Sequence, residues 1–387
     1  MMTRCTRFRV LCFGGLLALM LLAAGCAATR DTKGRPLTTL NPRGVQAQKI
    51  DDLVTPVFAV AGVVFILING AILFLIFRFR RRRDDVDGVN EPVQMHGNPR
   101  LEWAWTILPA IVLASLAVGN VKTLWSLEDR DADPLKVEVT GQQWWWEFRY
   151  DVDNDGKADI ITPNQMVIPV GRQVAVSIRS NDVIHSFWIP ALNGKKDAVP
   201  GRTHPWSLEA DQPGIYEGQC TEFCGLSHGY MRMQVRALSV DDYNAWVAEQ
   251  TKPAVDPAVS NIDATAGRAT FKAQCAQCHQ VNGFDETGKA TDGTPNNDYR
   301  GDKHPLTSRN APNLTHLMSR QRFAGNMFDL HLDGKTDGAV NESEVGAWLR
   351  NPSLKKPMAA DQNRGMPNLG LTEEQIHNLV AYLSTLK

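Results

Sequence analysis

The hydrophobic pattern divides the chain into three regimes. From Leu53 to Phe77 run 25 residues without a charge; wound as a helix at about 1.5 Å per residue they reach about 37 Å, enough to cross a bilayer core with some tilt. A second apolar stretch runs from Trp105 to about Leu124, broken only by Lys122, whose long amine can snorkel from a membrane end. Pro56 and Pro109 are expected in the first turns of these two helices, where a missing N–H is tolerated. Between them stand Arg78 and the run 80–83, all arginine, and arginines beside a spanning segment mark the cytoplasmic side. The pattern predicts a transmembrane helical hairpin over 53–127, with both tails, and everything after about residue 127, on the outer face. A hairpin buried in a large soluble domain would leave the arginine block without a reason.

After the hairpin the period changes to two. Leu135–Thr140 and Gln173–Arg179 alternate apolar and polar residues, and Gly or Pro clusters punctuate them, so 134–250 reads as short strands of an all-β sandwich. Three consecutive tryptophans, Trp144 to Trp146, cannot all face one core if they lie on a strand, and at least one is expected to be exposed. Periodicity stops at Thr251, where Pro253 and Pro257 among small residues imply a semi-rigid linker over 251–261. Helical patterns then return at Ala266–Gln274 and Thr372–Leu383, giving an all-α domain over 262–387.

Charge and cysteine usage narrow this picture. The net charge is −1, and the region 262–387 holds 14 Lys plus Arg against 14 Asp plus Glu, so strong steering of a partner is not indicated and nothing suggests nucleic-acid binding. Arg4, Arg7 and Arg9 before the apolar run Leu11–Ala24 have the layout of a secretory leader. It ends in Leu22-Ala23-Ala24-Gly25-Cys26, which resembles a bacterial lipobox, so 1–25 is expected to be a lipoprotein signal, Cys26 the lipidated first residue, and 26–52 an outer N-terminal segment. Of seven cysteines, Cys5 and Cys12 fall in the leader and four in two chemical motifs, leaving none for a structural disulfide.

The first motif runs from Cys220 through Cys224 and His228 to Met231, with His185 upstream in Asp182-Val-Ile-His185. Two thiols, two imidazoles and a thioether are soft and borderline donors, which select copper over a hard cation. One thiolate suffices for a mononuclear site, so the second cysteine points to a bridged pair of metals. A zinc knuckle has no use for the methionine, a Cys220–Cys224 disulfide leaves both histidines unexplained, and a thioredoxin-like copper chaperone would lack the His-x-x-Met ending. The arrangement closely resembles the dinuclear copper A site of cytochrome c oxidase subunit II, a family whose outer domain is a cupredoxin Greek-key sandwich. The resemblance implies His185, Cys220, Cys224, His228, Met231 and the carbonyl of Glu222 as copper ligands, with the Glu222 side chain reaching a magnesium or manganese ion shared with subunit I. It also makes Trp144 the residue through which electrons reach copper, and Glu102, before the second membrane helix, the mouth of a proton channel of subunit I. The loop Lys196–Arg202 resembles one that packs on that subunit.

The second motif is Cys275-Ala-Gln-Cys278-His279, the c-type haem attachment sequence: two thioethers to the haem and His279 on the iron. Met366 in Gly365-Met366-Pro367 resembles the Met-Pro of class I cytochromes c and is the expected sixth ligand, with Met358, Met327 and Met318 as competitors; Ala311-Pro312 resembles the loop whose carbonyl steadies the axial histidine. The chain is therefore similar to an oxidase subunit II with a fused cytochrome c domain. That similarity implies an electron-input subunit in the bacterial inner membrane, carrying copper A and one covalent haem c, working with subunit I, further oxidase subunits and a donor such as cytochrome c. Alternatives are a copper A subunit of a nitric oxide reductase and a copper-delivery protein. Asp151 to Asp159 also has the opening spacing of a calcium loop, but Thr162 stands where the bidentate glutamate belongs, so a solvated turn is the preferred reading.

Overall fold

The structure is a computed structural model that describes residues 36–80, 96–156, 158–281, 311–358 and 364–387. The leader, Cys26 and the arginines at 81–83 lie outside the described residues. The chain forms two units, 48–129 and the remainder.

The first unit is a pair of helices. Helix α1 spans Val45–Phe79 and α2 spans Pro99–Leu127. Both begin before the apolar stretches that predict them, so Pro56 and Pro109 sit in helix interiors rather than in first turns. The reason is local: residues 45–52, a mixture of polar and apolar, continue the same winding, and α2 starts where the Asn98 side chain accepts from Arg100 N at 3.1 Å with Pro99 at the first helical position. Large apolar side chains along both helices, among them Phe58, Leu67, Phe74, Leu108 and Leu113, are uncovered by protein. With 18-residue windows that hold almost no charge, these helices anchor the chain in a membrane. Lys49 Nζ donates to Ser126 O at 2.8 Å and ties the open ends of the hairpin together.

The second unit opens with a β-sandwich of the cupredoxin kind. One sheet orders β3 (Ile160–Pro163), β2 (Trp145–Asp151), β1 (Leu135–Gln142), β5 (Val174–Ser180) and β8 (His204–Leu208); the other orders β4 (Gln165–Pro169), β10 (Arg232–Leu238) and β9 (Gly214–Gln219). A short ladder pairs β6 (His185–Phe187) with β7 (Lys196–Ala198). The β1–β5 and β4–β10 pairs run parallel, so each needs a crossover connection, which winds the chain between the two sheets. Alternate residues such as Val137, Val139, Val176 and Ile178 meet Met166, Ile168, Met233 and Val235 in one core.

Two expectations fail here. All three tryptophans are buried, because Gln143 and Trp144 form the turn of the β1–β2 hairpin and only Trp145 and Trp146 lie on β2, where every residue but the last is buried. Alternation along a strand leaves one face exposed only when that face is uncovered. The stretch read as strands also ends in a helix, α3 (Val240–Gln250), capped by Ser239, whose hydroxyl accepts from Asp242 N. Its signal was present: Val240, Tyr243 and Trp246 recur at helical spacing, and Trp246 packs edge-on against Tyr150 with centroids 5.4 Å apart.

The last part is helical. Helices α4 (Ile262–Gln274) and α7 (Glu373–Leu383) pack together, while α5 (Glu342–Arg350) and the single turn α6 (Pro352–Lys355) close the other side. A two-residue ladder, β11 (Arg322–Phe323) on β12 (Phe328–Asp329), is added to this α-helical domain. Thr372 caps α7 through a full capping box with Gln375. The α4–α7 contact is close because Gly267 has no side chain; a Cβ there would lie 1.9 Å from the Asn378 carbonyl oxygen. Gly267→Ala is therefore expected to destabilise the helical domain by about 2–3 kcal/mol. Thermal unfolding followed at the domain's own absorbance should show it, and an unchanged midpoint would mean that the helices can separate without loss.

Candidate copper and haem sites

The loop between β9 and β10 is pinned at both ends before it presents any donor. Cys220 N donates to Met231 O at 2.9 Å, Thr221 N to Ser186 O at 3.1 Å, and a 3₁₀ turn over His228–Tyr230 folds the loop back. Its donors converge. Cys220 Sγ lies 3.8 Å from Cys224 Sγ, Cys224 Sγ lies 3.8 Å from Met231 Sδ and 3.4 Å from His228 Nδ1, and His185 Nδ1 lies 3.9 Å from Cys220 Sγ. The Glu222 carbonyl is 3.3 Å from Cys220 Sγ, which brings the sixth expected ligand to the cluster. Cys220, Cys224, His185 and Met231 are buried, while His228 and Glu222 are half-buried.

Electrostatics give this cluster a need for positive charge. The Cys224 thiol beside Cys220, then His185, favours a thiolate at Cys220 and holds it below the ordinary thiol range. That first negative charge, together with burial, pushes Cys224 the other way. Two buried thiolates 3.8 Å apart coexist only with cations between them, and these soft donors fit copper.

His185 is oriented by a residue whose role the sequence did not disclose. Its Nε2–H donates to Asp182 Oδ1 at 2.8 Å, and since a carboxylate only accepts, Nδ1 keeps its lone pair toward the thiols. Burial alone would push the imidazole down, but the bond to Asp182 holds it above the ordinary histidine value. Burial would raise Asp182; bonds from His185 and from the Gln143 and Val183 amides hold it low instead. Gly141 makes room for the ring, since a Cβ there would lie 2.9 Å from His185 Cδ2. Trp144 meets the cluster at Cys224, its Nε1 donating to Cys224 O at 3.0 Å, beside Gln143 Nε2, which donates to the same carbonyl at 2.7 Å.

In the helical domain α4 ends at Cys275, and Cys278 and His279 follow in one turn. His279 Nδ1 donates to Pro312 O at 2.9 Å, which leaves Nε2 free to bind iron. Burial lowers its proton affinity, with the Pro312 bond opposing, and a neutral imidazole is what a metal requires. Met366 is half-buried and its Sδ accepts from Trp348 Nε1 at 3.1 Å, which leaves a second sulfur lone pair. Met358 packs on Gly365 beside it, and Met318 is committed to the core. Glu102 stands in the first turn of α2, exposed, and its amide donates to Asn98 O. Asp151, Asp153 and Asp159 do approach within 4.8 Å of one another, but backbone amides of Gly156, Asp155 and Val152 already bond their carboxylates, as in a turn.

The class defined by this fold and these donors is a membrane-anchored redox protein that joins a cupredoxin to a c-type cytochrome. Three family descriptions match successive parts of it: the transmembrane domain of cytochrome c oxidase subunit II over residues 43–122, its periplasmic domain over 152–238, and cytochrome c over 264–387. A cytochrome c oxidase subunit 2 of Alkalihalophilus pseudofirmus is 35% identical over 379 residues, 95% of each chain. One from Bacillus sp. (strain PS3) is 33% identical over 98% of each. A quinol oxidase subunit 2 of Bacillus subtilis is 32% identical over 60% of this chain and 70% of its own. The chain belongs to the cytochrome c oxidase subunit II family and carries the C-terminal cytochrome c domain. It is thus part of an oxidoreductase complex, anchored in a membrane with further oxidase subunits as partners.

Because Asp182 sets the tautomer of His185, Asp182→Asn should keep the fold yet weaken copper retention by about 10–100-fold. Competition with a copper chelator would measure it. Affinity equal to the unaltered protein would mean that the strand alone orients the ring.

Proposed function

We propose that this chain is the electron-input subunit of an aerobic terminal oxidase of the bacterial inner membrane. It takes electrons from an external donor such as a cytochrome c and delivers them toward the haem–copper centre of subunit I, where oxygen is reduced to water with coupled proton pumping. The observation that carries this is the setting of Trp144: one compact unit holds the thiol cluster and the Cys275-x-x-Cys278-His279 domain, and buried Trp144 bonds Cys224 O through its ring while its carbonyl accepts from Lys356 of the helical domain. The haem motif and the copper cysteines together favour a cytochrome donor over a quinol.

When bound, covalent haem c and dinuclear copper A supply one-electron redox chemistry with little rearrangement around them. Cys275 and Cys278 would hold the haem covalently, His279 and Met366 its iron. Cys220, Cys224, His185, His228, Met231 and the Glu222 carbonyl would hold the copper pair. The half-buried Glu222 side chain would reach a magnesium or manganese ion completed by subunit I. The working parts are then the hairpin 53–127, the copper domain 134–250, the linker 251–261 and the haem domain 262–387. The leader 1–25, the lipidated Cys26 and the outer segment 26–52 precede them. Trp144 is the point where electrons pass into the copper domain, and Glu102 borders proton uptake in subunit I.

Element analysis of the full chain should find two coppers and one iron. One copper, or zinc in its place, would sink the copper A assignment. Met366→Ala should lower the haem potential and leave the covalent attachment intact, whereas Met358→Ala should change little, as redox titration would read; the reverse pattern moves the sixth ligand to Met358.

A further inference from the structure

The contacts between the haem domain and the copper domain include one turn and one lysine. The turn is Ala324-Gly325-Asn326, all three at positive φ (52°, 81° and 61°). Arg232 N donates to Gly325 O at 3.1 Å, and a Cβ on Gly325 would lie 2.4 Å from Tyr230 O and 3.3 Å from Trp144 O. Only glycine allows the turn to come this close to the copper loop. The lysine is Lys356, just beyond α6. Its Nζ donates to Trp144 O at 2.6 Å across the contact and to Ala324 O at 3.3 Å in its own domain. Ser227 Oγ donates to Pro357 O beside it, and Arg322 and Asn326 reach Glu217 at 3.1 and 3.2 Å along the edge of the contact.

A lysine at this place needs a reason. It is 5% exposed, no carboxylate pairs with it among the described residues, and burial pushes its amine down to about 7. A chain selected for docking strength alone could fill the space with an apolar side chain and avoid that desolvation. What the amine provides is a fixed bridge between two backbone carbonyls, and it has the N–H donors for both whether charged or neutral. Each carbonyl stands next to redox machinery. Trp144 is bonded to Cys224 O. Ala324 follows Phe323, whose ring meets Trp348 edge-on at 6.0 Å, and Trp348 bonds Met366 Sδ.

We propose that Lys356 is the positioning residue that seats the haem domain on the copper domain, with Gly325 as the seat that only a missing side chain permits. Together they set the gap between Phe323 and Trp144. One electron leaves the haem side oxidised and the copper side reduced for each transfer, and its tunnelling rate falls steeply with that gap. The inference rests on the electron-input reading for its purpose, while the docking itself can be tested without it.

Hydrogen exchange on the full-length protein, read by mass spectrometry at the Arg232 amide, reports docking directly, because that amide is covered by Gly325 O. Lys356→Met should speed its exchange by about tenfold or more, as expected when buried carbonyls lose their donor. Amides inside α7 should keep their protection. Gly325→Ala should do the same by steric expulsion, and keeps the test decisive if Lys356→Met does not fold. Flash-induced transfer from haem to copper should slow in parallel. Unchanged protection at Arg232 in the two variants overturns the proposal. So does faster exchange in α7 together with Arg232, which would make Lys356 an internal prop of the haem domain. Failure of the copper and iron stoichiometry would sink the electron-input reading and leave the exchange result standing.

Discussion

The constraint on which the copper domain depends is the pair of thiols 3.8 Å apart under the β-sandwich. Buried negative charge at that spacing is unstable without cations, so the surroundings are arranged to hold the donors in place whether or not their charge changes. The loop is clamped by Cys220 N to Met231 O and by Thr221 N to Ser186 O. The His185 ring is clamped by Asp182 and by Trp146, whose ring lies 5.8 Å away edge-on. Each clamp uses a backbone group or a buried side chain.

The same logic extends across the domain boundary. The helical domain is not merely tethered by 251–261; its turn 324–326 lies on the copper loop and approaches the Trp144 carbonyl. The bonds around it, Trp144 Nε1 and Gln143 Nε2 to Cys224 O on one side and Lys356 to Trp144 O on the other, join copper loop and haem domain through polar contacts in a poorly solvated space. Such bonds are costly to break because each leaves an unpaired buried group.

Much of this was legible from sequence because its signals are local. The membrane hairpin rests on charge-free runs long enough for a bilayer, and the haem motif on three residues within one turn. The candidate copper donors lie within twelve consecutive positions apart from His185, and their softness favours copper over a hard cation. The Pro312 carbonyl was anticipated by resemblance and is bonded to His279 at 2.9 Å.

What the sequence determined by itself was therefore chemistry and order: which side chains can ligate, which segments can cross a membrane, and in what succession the domains come. Tertiary structure decided what depends on distant segments meeting. Asp182 sits three residues from His185, yet only the fold turns its carboxylate onto Nε2. Trp144 to Trp146 were expected to leave one ring in water, but all three are buried, and no periodicity within a strand records what covers its outer face. Lys356 reads as one more charge after a short helix. Its meaning arises because a glycine turn lets two backbones approach until a single amine can reach both carbonyls, and that distance is a property of packing between domains and not of any stretch of residues.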